Sequence, residues 1–297
     1  MSNQDEIKVS VCVVTYNQEE YIGECLQSLV DQEAGFLFEI IVGEDCSTDK
    51  TREIVEDFAL RYPDLIVRNY HEENIGPTKN LFSTYALAKG EYIAHMDGDD
   101  LAFPEKLARQ CQYLDDYPEC QIVWSRMKIL NNSTSDLHDD LLESERILNK
   151  NYTQADLVLL GSVACHSSKM FRSSTLVDFK RPNSEVYDFF LSIEQLKNNG
   201  YGKIHPDFLG VYRSGVGVLR NTNIDSLYVN NIEYLLSRFP HHKAFFSAKF
   251  AILFLMKLKR RKIDMRLACL FLKNIRPGTF RNVFIFLENS RYLRSPV

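Results

Sequence analysis

The sequence predicts an α/β chain: a mostly parallel central sheet flanked by helices, continued by a helical C-terminal region. Three observations predict it. Short apolar, β-branched runs alternate with helical patterns through the first half of the chain. Those runs are nearly continuously hydrophobic, as strands covered on both faces are. From about residue 224 the strand patterns stop and helical ones take over.

Each element can be read in order. Lys8 to Thr15 (KVSVCVVT) reads as a buried strand, after which Asn17 is expected to cap a helix with Glu20 at capping-box spacing. Glu39 to Gly43 is a second strand, and the helix after EDCSTDKT runs to Arg61 and stops before Pro63. Ile66 to Tyr70 is the third. Pro77 opens a helix that Gly90 closes, Glu91 to His95 is the fourth strand, and Pro104 opens a helix reaching Tyr117. Gln121 to Leu130 is the fifth. Asn131 to Lys150 is polar and acidic, and reads as a mobile surface segment suited to an acceptor lid.

Composition bounds the rest. With 45% hydrophobic and 25% charged residues, 297 residues can bury a large core. A net charge of −5 gives no reason to expect a nucleic-acid partner. The start, MSNQDEIKVS, lacks the basic flank and apolar stretch of a signal peptide, and no run is long and charge-free enough to span a bilayer, so a cytoplasmic location is expected. The seven cysteines form no CxxC pair, which favours reduced core thiols over a zinc site.

In parallel α/β sheets ligands sit beyond the carboxyl ends of the strands. Thr15, Tyr16 and Asn17 follow the first strand, Glu44 and Asp45 the second, and Asp97-Gly98-Asp99-Asp100 the fourth. Asn74-Ile75-Gly76, with Lys79 and Asn80, follow the third. Alone, each of these residues is an ordinary turn or cap former. Together at one edge they read as a site. Carboxylates this close repel unless a cation lies between them. In extended backbone Asp97 and Asp99 face the same side, and Gly98 permits close approach of a ligand. Hard oxygens in small number suit Mg²⁺ or Mn²⁺ completing its shell on substrate phosphates. Neither GxxxxGK[ST] nor GxGxxG follows the first strand, which argues against a P-loop NTPase and a dinucleotide enzyme.

The blocks VSVCVVTYNQEEYIGECLQSLVDQ, EIIVGEDCSTDKT, NIGPTKN and GEYIAHMDGDD together resemble the family 2 glycosyltransferases, which have the GT-A fold and use nucleotide sugars. The resemblance implies that Thr15, Tyr16 and Asn17 line the nucleotide pocket, that Asp45 contacts the base, and that Lys79 lies near the nucleotide. It implies that Asp97, with Gly98, lies near the ribose or sugar, and that Asp99, with Asp97, holds Mn²⁺ or Mg²⁺. Glu44 and Cys46 stand where Asp and Gly are commoner. The implied chemistry is inverting displacement at the anomeric carbon, with a carboxylate base from the second half of the domain. Asp188 is the first candidate and Glu185 the alternative. On the acceptor side, the stretch around His166 and the VYR-like Val211-Tyr212-Arg213 are implied contacts, although Gly215 stands where a His often follows.

The expected division is a nucleotide-sugar and catalytic domain over 1–220 and a helical, basic region over 221–297. That region, with KRRK after the apolar stretch Ala244 to Leu258, suits an acceptor, membrane-surface or homo-oligomer contact. Expected partners are a nucleotide-sugar donor, UDP-linked on family frequency, and a glycan or lipid-linked glycan of lipopolysaccharide, capsule or exopolysaccharide type. The expected location is the cytoplasm, including the inner face of its membrane. Two other functions stay open: a sugar-nucleotide-binding scaffold without catalysis, and a metal-dependent nucleotidyltransferase.

Overall fold

The computed structural model describes residues 6–140, 142, 144–177, 185–216 and 224–289. Strand β1 (Val9–Thr15) is almost wholly buried because both faces of its sheet are covered. Its side chains alternate between two cores: Val9, Val11 and Val13 enter one, and Cys12 the other. Helix α1 (Ile22–Val30), β2 (Phe38–Glu44), α2 (Thr51–Arg61), β3 (Ile66–Tyr70), α3 (Pro77–Tyr85) and β4 (Tyr92–Asp97) complete the alternating unit. These four strands pair in parallel, in the order β3-β2-β1-β4.

Beyond β4 the sheet becomes mixed. The chain continues through β5 (Leu101–Ala102), α4 (Lys106–Asp116), β6 (Cys120–Asn131), β7 (Leu137–Asp139), α5 (Glu145–Leu148), α6 (Gln154–Leu160), β8 (Met170–Arg172), α7 (Asp188–Gln195) and β9 (Tyr201–Ser214). The order runs on as β4-β8-β6-β9-β5, with β7 beside β6. β8 is antiparallel to both neighbours, whereas β6 and β9 are parallel with bulged register. The mostly parallel sheet that the sequence predicts is parallel through its first half and mixed beyond it.

Two local expectations are corrected. Asn17 caps no helix: α1 starts at Ile22, and Asn17 adopts a φ of 52°. Its Oδ1 accepts the Thr48 N–H and its own N–H donates to the Ser47 hydroxyl, so the short side chain is used across two loops. The acidic segment 131–150 is anchored over its described residues. Asp140 is buried, pairing with Arg126 at 2.9 Å and accepting the Met127 N–H, while Leu142 and Ile147 enter the core. A polar sequence hid those three inward-facing positions.

Helices α8 (Ile224–Arg238), α9 (Lys243–Lys259), α10 (Met265–Asn274) and α11 (Thr279–Asn289) follow. Val229, Ile232 and Leu235 of α8, with Phe246 and Phe250 of α9, share one core with Trp124, Phe189 and Phe190. The first turns of α9 thus pack on the sheet's helical cover, and none of the described helices is long and apolar enough to cross a membrane. The expected boundary at residue 220 lies outside the described residues.

Candidate active site

The carboxyl ends of β2, β1 and β4 are neighbours: Thr15 pairs with Glu44 and Val14 with Asp97. The turn after β4 packs tightly here. A Cβ on Gly98 would stand 2.5 Å from Gln18 Oε1 and 2.9 Å from Thr15 Cβ. The close approach that Gly98 allows is therefore to side chains of this chain, which locks the acidic turn against the β1 exit.

Asp99 and Asp100 are 7% and 1% exposed. Burial, and then the charge of Asp97, raises the Asp99 carboxyl to about 7. Asp100 is pushed well up for the same reasons, with Asp99 adding to the repulsion. Asp100 Oδ1 accepts the Arg213 N–H at 2.8 Å, whereas its Oδ2 is buried with no partner among the described residues. A buried acceptor left open amid like charges fits a hard divalent cation. The Arg213 side chain pairs with Glu24 and lies over the Tyr21 ring at 5.2 Å. It stands beside the acidic turn and lowers Asp99 against the stronger upward push.

Asp97 is held from the interior. His95 Nε2 is 3.1 Å from its Oδ1, and the Ser167 hydroxyl donates to its Oδ2 while accepting its N–H. Tyr85 Oη lies 3.0 Å from His95 Nδ1. With a carboxylate on one side, His95 carries its proton on Nε2 and accepts from Tyr85 on Nδ1. His166 stacks on His95, with centroids 3.7 Å apart and an interplanar angle of 25°. Burial, then the His95 ring, drives His166 well below the ordinary histidine range, and its Nε2 is buried with no partner among the described residues. His95, Asp97 and His166 each bring a ligand atom within 4.8 Å of the others. Stacked rings direct their lone pairs along near-parallel planes, so this trio makes a poor metal cage; Asp97, Asp99 and Asp100 offer the better oxygens.

Both base candidates border this region. Asp188 opens α7 and lines a small pocket with Trp124, Ser162, His166 and Ser192. Burial raises its carboxyl, and hydrogen bonds from the Ser162 hydroxyl (2.6 Å) and the Phe189 N–H oppose the rise. Both bonds fall on Oδ1. Glu185 instead receives the Thr78 hydroxyl at 2.5 Å and the Thr78 N–H at 3.1 Å. It caps α3, whose own N-cap, Gly76, has no side chain. Asp45 accepts the Ile75 and Gly76 N–H groups at 2.8 and 3.0 Å, holding the same loop. Gly76 has a φ of 88°, and a Cβ there would come 2.9 Å from Glu185. Lys79 is exposed on α3, Tyr16 is half-buried after β1, and Asn17 is exposed beside it.

Sequence reasoning missed several residues of this cluster. Lys106, fully buried, donates to the Ser167 carbonyl and is lowered to about 7 by burial. Its position one residue before Leu107, on the buried face of α4, was the available signal. His95 was read only as the end of a strand. Ser162 lies in irregular backbone and Ser167 in a single 3₁₀ turn, where no periodicity marks them.

Comparison with known proteins decides the family. The model described as glycosyl transferase family 2 matches residues 10–177, more than half of the chain. The chain belongs to that family. An uncharacterised protein of Mycobacterium tuberculosis is 30% identical over 207 residues, covering 69% of this chain and 58% of that protein. The chain thus spans less than two thirds of that relative's length. Among solved structures, TarS of S. aureus (residues 1–349, in complex with UDP-GlcNAc) aligns with a TM-score of 0.65 at 20% identity, over 96% of this chain and 92% of that one. The mannosyltransferase PcManGT of Pyrobaculum calidifontis, in complex with GDP-Man and Mn²⁺, aligns with a TM-score of 0.60 at 15% identity, over 99% and 90%. These similarities establish the GT-A fold for this family 2 chain.

Proposed function

We propose that this family 2 chain is an inverting glycosyltransferase that moves a sugar from a nucleoside diphosphate to a glycan acceptor in surface-polysaccharide synthesis. The observation that carries the reading is the buried acidic turn Asp97–Asp100 at the sheet's carboxyl edge, beside a pocket that holds Asp188. A UDP-sugar is the favoured donor, supported by the UDP-GlcNAc bound in TarS. Thr15, Tyr16, Asn17 and Lys79 border the nucleotide, and Asp45 takes the base. Its carboxylate has lone pairs to spare beyond the two backbone N–H groups it accepts.

Asp99, with Asp97, would hold Mn²⁺ or Mg²⁺, which supplies charge neutralisation for the departing diphosphate. Asp97 is oriented by His95 and Ser167 so that one face stays toward the ligand. Asp188 is the base: it takes the proton of the acceptor hydroxyl as that oxygen attacks the anomeric carbon from the side opposite the diphosphate. Burial raises its carboxyl, which makes it a stronger proton acceptor than an exposed aspartate. Glu185 already serves Thr78, which supports Asp188 over it. His166 Nε2, buried and unpartnered among the described residues, is suited to a sugar hydroxyl in the same pocket. Arg213 balances charge at the acidic turn.

Calorimetric titration of UDP, GDP, CMP and dTDP, with Mn²⁺ and then with EDTA, tests the reading. Metal-dependent binding of one nucleotide is expected. If none binds under either condition, the donor-site reading falls. A scaffold that binds donor without transfer would bind it normally and give no product with any acceptor.

A further inference from the structure

The end of α9, α10 and α11 present an unusual surface. Among the described residues, ten of the fifteen large hydrophobic side chains that are exposed lie between Leu255 and Leu287. They fall in stripes. Met265 and Leu272 share one line along α10, and Phe280, Phe284 and Leu287 follow i, i+4, i+7 along α11. Phe280 and Phe284 are 63% and 71% exposed. Soluble surfaces scatter such residues singly; a concentrated set marks contact with something apolar.

The charge around these stripes identifies the contact. Residues 255–289 hold nine cations (including Lys259, Arg260, Arg261 and Lys262) and two acids, a net +7 in a chain of −5. Both acids are already paired, Asp264 with Lys257 and Glu288 with Arg146. Of the cations, Lys257 and Arg266 hold the ion pairs recorded for this stretch among the described residues. The remainder of the chain is therefore net −12. A second copy docking through this face would bring +7 against +7, and a soluble acidic polymer has no use for exposed Phe, Leu and Met.

We infer that this face docks on an anionic lipid bilayer, with the apolar stripes at the acyl boundary and the cations among the headgroups. The charge asymmetry orients the molecule, because the acidic remainder is repelled from the same surface. The first turns of α9, buried against α6, hold the docking face rigidly to the sheet-bearing body. The inference is independent of the donor-site reading, and its test uses no nucleotide.

The experiment is co-sedimentation of the full chain with vesicles of phosphatidylcholine alone or mixed with phosphatidylglycerol. Binding to the mixed vesicles, weak binding to the neutral ones, and loss at high salt are expected. Phe280→Ser with Phe284→Ser alters side chains outside the core and should weaken binding about tenfold with an unchanged circular dichroism spectrum. Three results would overturn the inference. One is no binding to anionic vesicles at low salt. Another is binding to the anionic vesicles that the phenylalanine changes do not affect. The third is a concentration-dependent dimer that those changes dissolve.

Discussion

Asp188→Asn and Glu185→Gln should separate chemistry from architecture. Asp188 accepts from Ser162 and from its own helix on one oxygen, and asparagine's carbonyl can keep both bonds. Burial already disfavours the charged form. Removing the charge therefore costs little stability, but it removes the base. Turnover should fall about 100- to 10,000-fold, or about 3–5 kcal/mol of barrier. Glu185 differs: its carboxylate takes two bonds from Thr78 at the start of α3. Bonds to a charged acceptor exceed neutral ones by about 1 kcal/mol each, and partial exposure discounts that to about 1–2 kcal/mol in total. For a chain of this size the Tm should drop by about 2–5 °C, with turnover per folded molecule nearly kept. The assay is donor-dependent release of nucleoside diphosphate beside thermal unfolding of each variant. Asp188→Asn with full turnover, or Glu185→Gln with lost turnover at unchanged Tm, would refute the assignment.

Four further outcomes follow from the geometry. Asp99 is raised to about 7, so an entering cation must displace its proton: Mn²⁺-dependent UDP affinity should weaken as pH falls through about 7, with proton release visible by calorimetry in two buffers. In metal-free protein the sign for stability is opposite, since a carboxyl raised on folding stabilises at low pH and loses that contribution as pH climbs from the ordinary aspartate range through about 7. Cys46 has a φ of 59°, a conformation costing a non-glycine residue about 1–2 kcal/mol, while glycine loses about 0.5–1 kcal/mol more entropy on folding. Cys46→Gly should thus raise the Tm slightly, and a fall of several degrees would show that the Sγ contact with the Glu72 carbonyl outweighs the strain. Lys249→Met removes a buried amine lowered to about 7 together with its bonds to the Leu159 and Leu160 carbonyls; opposing terms should leave the Tm within a few degrees while turnover falls, and unchanged turnover would uncouple this lysine from the site.

The parallel half of the fold was legible because it is local. β1 and β2 are runs of buried, largely β-branched residues, and α3 is punctuated by Gly76 and Pro77 at its start. β8 was legible only through the family resemblance of the stretch from Ala164 to Arg172: three residues carry no period, and its place between β4 and β6 depends on pairing with strands far away in sequence. The acidic turn stood out by composition, and the comparatively rare Cys46 proves to occupy a left-handed position where glycine is unstrained. His95 did not stand out, since a histidine ending an apolar strand signals nothing until Tyr85 and His166 arrive from other segments. Gly98 was noticed for the right property, and its neighbours turned out to be Thr15 and Gln18.

The stretch Leu159–Lys169 shows how irregular backbone can hold reactive groups in place. It supplies Ser162, His166 and Ser167, yet contains little more than the end of α6 and one 3₁₀ turn. Three buried lysines tie it down. Lys106 of α4 donates to the Ser167 carbonyl, Lys249 of α9 to those of Leu159 and Leu160, and Lys169 itself to Ser192 and Gln195 of α7. Burial lowers Lys106 and Lys249 to about 7 and Lys169 to about 8, so each ammonium is held at a cost that its hydrogen bonds offset. An apolar substitute would pack as well but leave several carbonyls unpaired. Charge is used here where no regular hydrogen-bond ladder is available. One consequence is geometric: Lys249 links the helix that carries the basic face to the backbone next to Ser162, and Ser162 donates to Asp188. A shift of α9 at a surface would therefore reach the proposed base through two hydrogen-bonded contacts and one turn of chain.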